Sequence, residues 1–187
     1  MGKEIKVFIK DMVVIVVTAF ILAMILRTFV IEGRIIPSGS MLPTLQLQDR
    51  VLVTKFNYHF KDIVRGDIIV FKPPEAIGSD QDYIKRVIGL PGEKVEVKDG
   101  QVFINDKPLN EPYLMESFNY EYGPVTIPED SLLVLGDNRN YSFDSHLWNA
   151  WLTTDHIKGK AFMVYWPINH INLLERGVTF NENITDK

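Results

Sequence analysis

Two different hydrophobic rhythms run along this chain. Met12–Leu26 is uninterrupted by any charge, Arg27 breaks the run, and the apolar stretch resumes as far as Ile31. The residues from 12 to 31 match the ~20 that a helix rising 1.5 Å per residue needs to cross a hydrocarbon core. No face of the run is polar, which argues against a surface helix or a core helix. A cleavable leader has a shorter apolar region, ~7 to 15 residues, and ends in a small-x-small site. Thr28-Phe29-Val30-Ile31-Glu32 supplies none. A retained transmembrane anchor is therefore expected over 12–31, with Arg27 snorkelling from near one end. Lys3, Lys6 and Lys10 precede the span, while Glu32 and Arg34 follow it. The positive-inside tendency then puts residues 1–11 in the cytoplasm and everything after about 32 on the far side.

Beyond the anchor the pattern shortens to runs of β-branched and aromatic residues separated by Gly, Pro, Asn and Asp, a β signature. Strands are predicted over Arg50–Phe56, Asp67–Phe71, Asp82–Gly89, Glu93–Lys98, Gln101–Asn105, Ser131–Leu135 and Lys160–Trp166. Asp99-Gly100 is a pair suited to a type I′ turn, which needs φ > 0 at both positions, so Val95–Ile104 reads as a hairpin. The catalytic-sized remainder is expected over 32–172, followed by a polar C-terminal tail, 173–187, that frays.

Composition narrows the chemistry. A chain of 187 residues holds one domain plus an attachment. Its net charge of −4 is spread without a basic patch, which argues against a nucleic-acid partner. With no cysteine, disulfides, thiolate nucleophiles and cysteine metal sites are excluded.

Four segments carry candidate chemistry. In Ile36-Pro-Ser-Gly-Ser-Met-Leu-Pro-Thr-Leu45, two prolines stiffen a loop that could hold a serine hydroxyl exposed, although such a composition alone reads more readily as a turn. In Tyr83-Ile-Lys-Arg-Val-Ile-Gly-Leu-Pro-Gly92, alternation puts Tyr83, Lys85 and Val87 on one face and Ile84, Arg86 and Ile88 on the other. A lysine on an inward face would lose proton affinity through desolvation and could act as a base, which Arg86 could not. On an edge strand Lys85 would simply point outward. Arg65-Gly-Asp-Ile-Ile-Val-Phe71 reads as a tight turn and a buried strand that support the fold. Gly136-Asp-Asn-Arg-Asn-Tyr-Ser-Phe-Asp-Ser-His146 is either a solvated connector or, through Asp137, Arg139 and Asp144, a charge-paired scaffold beside a site.

Taken in order, these segments resemble the boxes of the type I signal peptidases, most closely the cyanobacterial and plastid members. The resemblance covers most of residues 20–167. It implies a mostly β, signal-peptidase/LexA-like catalytic domain on a single N-terminal transmembrane helix, and a serine endopeptidase that removes signal peptides after small-x-small sites. It implies Ser40 as nucleophile, Lys85 as general base, Ser38 as an oxyanion donor, Ser142 as the group orienting Lys85, and Asp144 as a support, with no metal and no cofactor. The partners it implies are exported pre-proteins, a lipid bilayer and the export machinery. The location it implies is the plasma membrane, or alternatively the thylakoid. His146, where many bacterial relatives carry arginine, and Asn149-Ala-Trp-Leu152, where Gly and Pro are usual, depart from the pattern.

Other readings remain open on the sequence. A Ser-His-Asp hydrolase could draw on His59, His146, His156 or His170, but there is no Gly-x-Ser-x-Gly elbow. A soluble self-cleaving Ser-Lys repressor would carry a DNA-binding domain in place of the apolar span. A tethered β domain that binds signal-bearing peptides without cutting them is the non-enzymatic alternative.

Overall fold

The computed structural model describes residues 2–55 and 63–180, without the side chains of residues 3 and 25–29. Phe56 at the end of a predicted strand, His59, the side chains of Lys3 and Arg27, and the last seven residues of the tail lie outside the described residues. Helix α1 spans Gly2–Phe29, about 42 Å at 1.5 Å per residue. Its segment Glu4–Met24 has a mean hydropathy of 2.4, and none of it is buried against the protein. Ile15 and Phe20 are 67% and 66% exposed, an arrangement that needs an apolar solvent around the helix. The helix starts earlier than the apolar run and stops before Ile31. That residue instead opens strand β1, Ile31–Ile35, because Arg50–Thr54 (β2) offers it an antiparallel partner, Ile31 against Thr54.

The remaining strands are β3 (Ile68–Phe71), β4 (Tyr83–Gly89), β5 (Lys94–Lys98), β6 (Gln101–Ile104), β7 (Lys107–Asn110), β8 (Tyr122–Thr126), β9 (Ser131–Leu135), β10 (Leu152–Thr153), β11 (Ile157–Trp166), β12 (Asn172–Leu173) and β13 (Thr179–Phe180). One sheet runs β1-β2-β11-β3-β4-β9-β10, with β12 added to β11, and a second runs β13-β7-β6-β5-β8. The hairpin β5–β6 turns through Asp99 and Gly100 at φ 50° and 71°, as a type I′ turn requires. β7 and β8 escape the pattern because each contains a proline. Pro124 is tolerated because β8 lies at the sheet's edge, and Pro108 because β13 pairs only beyond it, at Leu109 and Asn110.

Three apolar clusters hold the sheets. The first packs Ile36, Met41 and Leu45, which flank the serine loop, against Val51, Val53, Ile68, Val70, Ile84 and Val164. A second lines the smaller sheet with Val95, Val97, Val102 and Ile104. The third sets Trp148 and Leu152 against Ile69, Phe71, Val87, Leu132 and Val134. As alternation along β4 predicts, Ile84 joins the first cluster while Tyr83 and Val87 join the third. The expected fraying after Asn172 needs correction through Phe180. Arg86 donates to the carbonyls of Glu175 and Arg176 at 3.0 and 2.6 Å, and Thr179–Phe180 pairs with Leu109–Asn110.

Candidate active site

Ser40 follows β1 in a loop closed at both ends by backbone bonds, from Ile36 N–H to Asp49 O at 2.9 Å and from Leu45 N–H to Met41 O at 2.9 Å. The buried Met41 and Leu45 anchor it, so the hydroxyl between two prolines is fixed by packing beneath it. Lys85 lies on β4, between β3 and β9 in the strand order, and its burial rules out an outward lysine. Forty-five residues apart in sequence, the two side chains meet: Lys85 Nζ donates to Ser40 Oγ at 2.7 Å. Both are buried, Ser40 at 8% exposure and Lys85 at 4%. Burial drives the Lys85 amine down to about 8, while the charges of Asp144 and then Asp137 pull it back up.

The other expected site residues fall nearby in different states. Ser38 is exposed, with its Oγ 3.5 Å from Ser40 Oγ. Ser142 Oγ is buried and has no hydrogen-bond partner among the described residues, so the expected bond to Lys85 is not formed. It lies instead against Gly136, where any Cβ would collide with Ser142 and with the carbonyl of Ser40. Only glycine fits there. Asp144 is fully buried; Oδ2 accepts the Gly136 N–H at 2.8 Å, and Oδ1 is 2.6 Å from His146 Nδ1.

The polar loop 136–146 is the charge-paired scaffold, not a solvated connector. Asp137 takes Arg86 with both oxygens, Oδ1 from Nε at 2.8 Å and Oδ2 from Nη2 at 2.6 Å, and also accepts the Thr44 hydroxyl at 2.5 Å. Arg139 donates to Gly136 O at 3.1 Å and to Glu111 at 2.5 and 3.0 Å. Asn138 ties the loop to the serine segment, with its backbone N–H to Ser40 O at 3.1 Å and Nδ2 to Gly39 O at 3.0 Å. Thr44 and Asn138 lie inside the motifs but were not singled out by residue type. Glu111 and Tyr113, whose ring lies 4.0 Å from the Arg86 guanidinium, sit between motifs and carry no sequence signal.

Ser40 and Lys85 open onto a cleft of about 510 Å³ walled by Pro37, Ser38, Tyr83, Ile84 and Phe143. Along it, β9 pairs with Arg86–Gly89 only, so Tyr83–Lys85, paired with β3 on one side, has no strand partner on the other among the described residues. None of the described histidines hydrogen-bonds a serine: His146 meets Asp144, His156 meets Lys72 O and His170 meets Asp49. A buried hydroxyl hydrogen-bonded to an amine of lowered proton affinity, at the floor of an open cleft, is equipped for nucleophilic attack with general-base help.

Comparison with known proteins agrees with that chemistry. The family described as signal peptidase, peptidase S26, matches residues 9–166. A probable signal peptidase I-2 of Synechocystis sp. is 48% identical over 84% of this chain and 73% of its own length. The signal peptidase I of Leptolyngbya laminosa is 50% identical over 82% of this chain and 78% of its own. The chloroplastic thylakoidal processing peptidase 1 of Arabidopsis thaliana is 37% identical over 83% of this chain and 48% of that protein.

Proposed function

The chain belongs to the signal peptidase family, peptidase S26, and on that premise we propose that Ser40 and Lys85 are the catalytic pair with which it removes signal peptides from pre-proteins. The observation that carries this reading is the 2.7 Å contact between Lys85 Nζ and Ser40 Oγ. A base must be deprotonated to act. With Lys85 brought down to about 8, about one molecule in ten carries the free amine at pH 7, against fewer than about one in a thousand for an ordinary lysine.

Lys85 takes the Ser40 proton as the oxygen attacks the scissile carbonyl. The oxyanion is met by the Ser40 N–H and by the Ser38 hydroxyl, whose exposed position lets it turn toward the substrate. Protonated Lys85 passes its proton to the leaving amine and then activates the water that releases the acyl-enzyme. We assign the Ser142 hydroxyl, buried without a partner among the described residues, the role of orienting Lys85 that the family resemblance implies.

The side of Tyr83–Lys85 that faces away from β3, unpaired among the described residues, supports binding of the pre-protein as an added strand. Cleavage after small-x-small sites is the specificity that the resemblance to the family implies, and the cleft walled by Pro37, Ile84 and Phe143 is where the residues before the scissile bond would bind. The protein is membrane-anchored. We place α1 across the plasma membrane or the thylakoid, with residues 1–11 cytoplasmic and the catalytic domain on the far side, where it meets pre-proteins delivered by the export machinery. Ser40 comes only eleven residues after the helix ends, so enzyme and cleavage site share one surface and a high local concentration. Incubating the detergent-purified protein with a model pre-protein tests this. Native protein releases the leader, and S40A and K85A do not; a K85A that cleaves at the native rate would refute the pair. Binding without release by the native protein would favour a non-cutting receptor.

A further inference from the structure

We propose that the hollow beside the cleft, between Tyr141 and Met115, receives the residues that follow the scissile bond, and that Glu116 makes it favour a lysine or arginine there over an acidic residue. The proposal rests on the Ser40–Lys85 reading above. The cleft has two ends. At one, Asp82 is ion-paired with Arg34 of β1 at 3.0 Å, and β1 is the strand that continues from the anchor α1. A leader's apolar segment shares the bilayer with α1, so the residues before the scissile bond arrive from that end. Those after it leave past Ser40 in the other direction. There Asn138 and Tyr141, which wall the cleft, also wall a second hollow of about 210 Å³, to which Leu42, Met115 and Glu116 contribute.

The far wall of that hollow comes from the smaller sheet, which supplies neither member of the catalytic pair. Residues 111–121 link β7 to β8, and they are pinned on both sides of Met115 and Glu116. Before them, Glu111 accepts from Arg139 at 2.5 and 3.0 Å, and the Tyr113 ring lies 4.0 Å from the Arg86 guanidinium. After them, Ser117 O accepts from Asn140 Nδ2 at 3.1 Å, and Phe118 is buried in the second apolar cluster. The tip between these anchors is held in place yet left bare. Met115 is 72% exposed, and Tyr141 on the other wall is 77% exposed. Large apolar side chains standing bare on both walls of a hollow beside a reactive site mark a contact surface. Charge decides what it takes. The other charged groups lining it are answered from within, Asp137 by Arg86 and Arg139 by Glu111. Glu116 meets only the Asn140 amide, at 3.4 Å, and no cation among the described residues. A cationic side chain in the hollow answers that carboxylate, and an acidic one is repelled by it.

The test uses peptides that span one small-x-small site and differ only in carrying Lys or Glu at the first, second, third or fourth position after the scissile bond. It reads the ratio of the two kcat/KM values in detergent at low salt. Native protein should favour Lys by about 2- to 5-fold at one or more of these positions. The preference should fade in 1 M salt, where the screening length falls to ~3 Å. E116K should reverse it, and M115K, which adds a cation on the neighbouring residue, should lower it. Each ratio is taken within one enzyme, so poor folding of a variant does not alter it. Lys and Glu placed before the small-x-small site are the control, and their ratio should be the same in native protein and E116K. A native ratio of one at all four positions, a ratio that E116K leaves unchanged, or a change of equal size on the leader side would each overturn the proposal. K85A, run alongside, must be inactive; activity there would sink the Ser-Lys reading itself, while the E116K ratios would still report on the hollow.

Discussion

Replacing Asp137 by asparagine should destabilise the protein far more than any surface pair predicts. Arg86 and Asp137 expose 1% and 0% of their side chains, so the amide would leave a guanidinium buried without its counter-charge. Removing one partner of a buried pair typically costs ~3 to 5 kcal/mol. The three carbonyls of Gly66, Glu175 and Arg176 still accept from Arg86 Nη1, and asparagine can keep one acceptor, which argues for the lower end, about 3 kcal/mol. For a domain of this size that is a fall in Tm of roughly 6 to 12 °C. The comparison is D106N, which breaks the exposed Lys94–Asp106 pair, 42% and 70% exposed, and should change nothing measurable. Thermal unfolding followed by circular dichroism in detergent reads both. A D137N midpoint within a degree or so of native protein, or equal losses in D137N and D106N, would refute the claim that this pair holds loop 136–146 against β4.

Three further outcomes follow from the same geometry. S38A should lower kcat by ~100- to 1,000-fold with little change in KM, as loss of one oxyanion donor does, and steady-state kinetics separates the two. G136A should lose more than about tenfold in activity, because its Cβ would press on the Ser40 carbonyl and on Ser142. Replacing Glu4–Met24 with a soluble leader should slow cleavage of a vesicle-inserted pre-protein while sparing a short soluble peptide, which a side-by-side assay of the two substrates would show.

Much of this architecture was legible in the chain and some was not, for physical reasons. The helix was plain because fifteen uncharged residues admit few environments, yet its C-terminal end was misplaced: β2 draws Ile31 into a ladder that no local pattern announces. Alternation separated Lys85 from Arg86 but could not tell that both would be buried, since that depends on β3 and β9 closing over β4. Ser40 stood out only through the order of the motifs. The partners of loop 136–146 were hidden because they are long-range: Arg86 for Asp137 and Glu111 for Arg139 lie 51 and 28 residues away. His146 looked like a departure from the pattern, and the structure places it on the Asp144 carboxylate. Ser142 runs the other way: the bond to Lys85 expected of it is not formed among the described residues, because its hydroxyl packs against Gly136.

The central claim, that a neutral Lys85 draws the proton from Ser40, is tested most directly by kcat/KM against pH on a peptide spanning a small-x-small site. The account predicts activity that rises through a single step near pH 8 and stays at background throughout in K85A. A profile that has already levelled off by about pH 7, as a histidine base would give, or substantial cleavage by K85A, would contradict it.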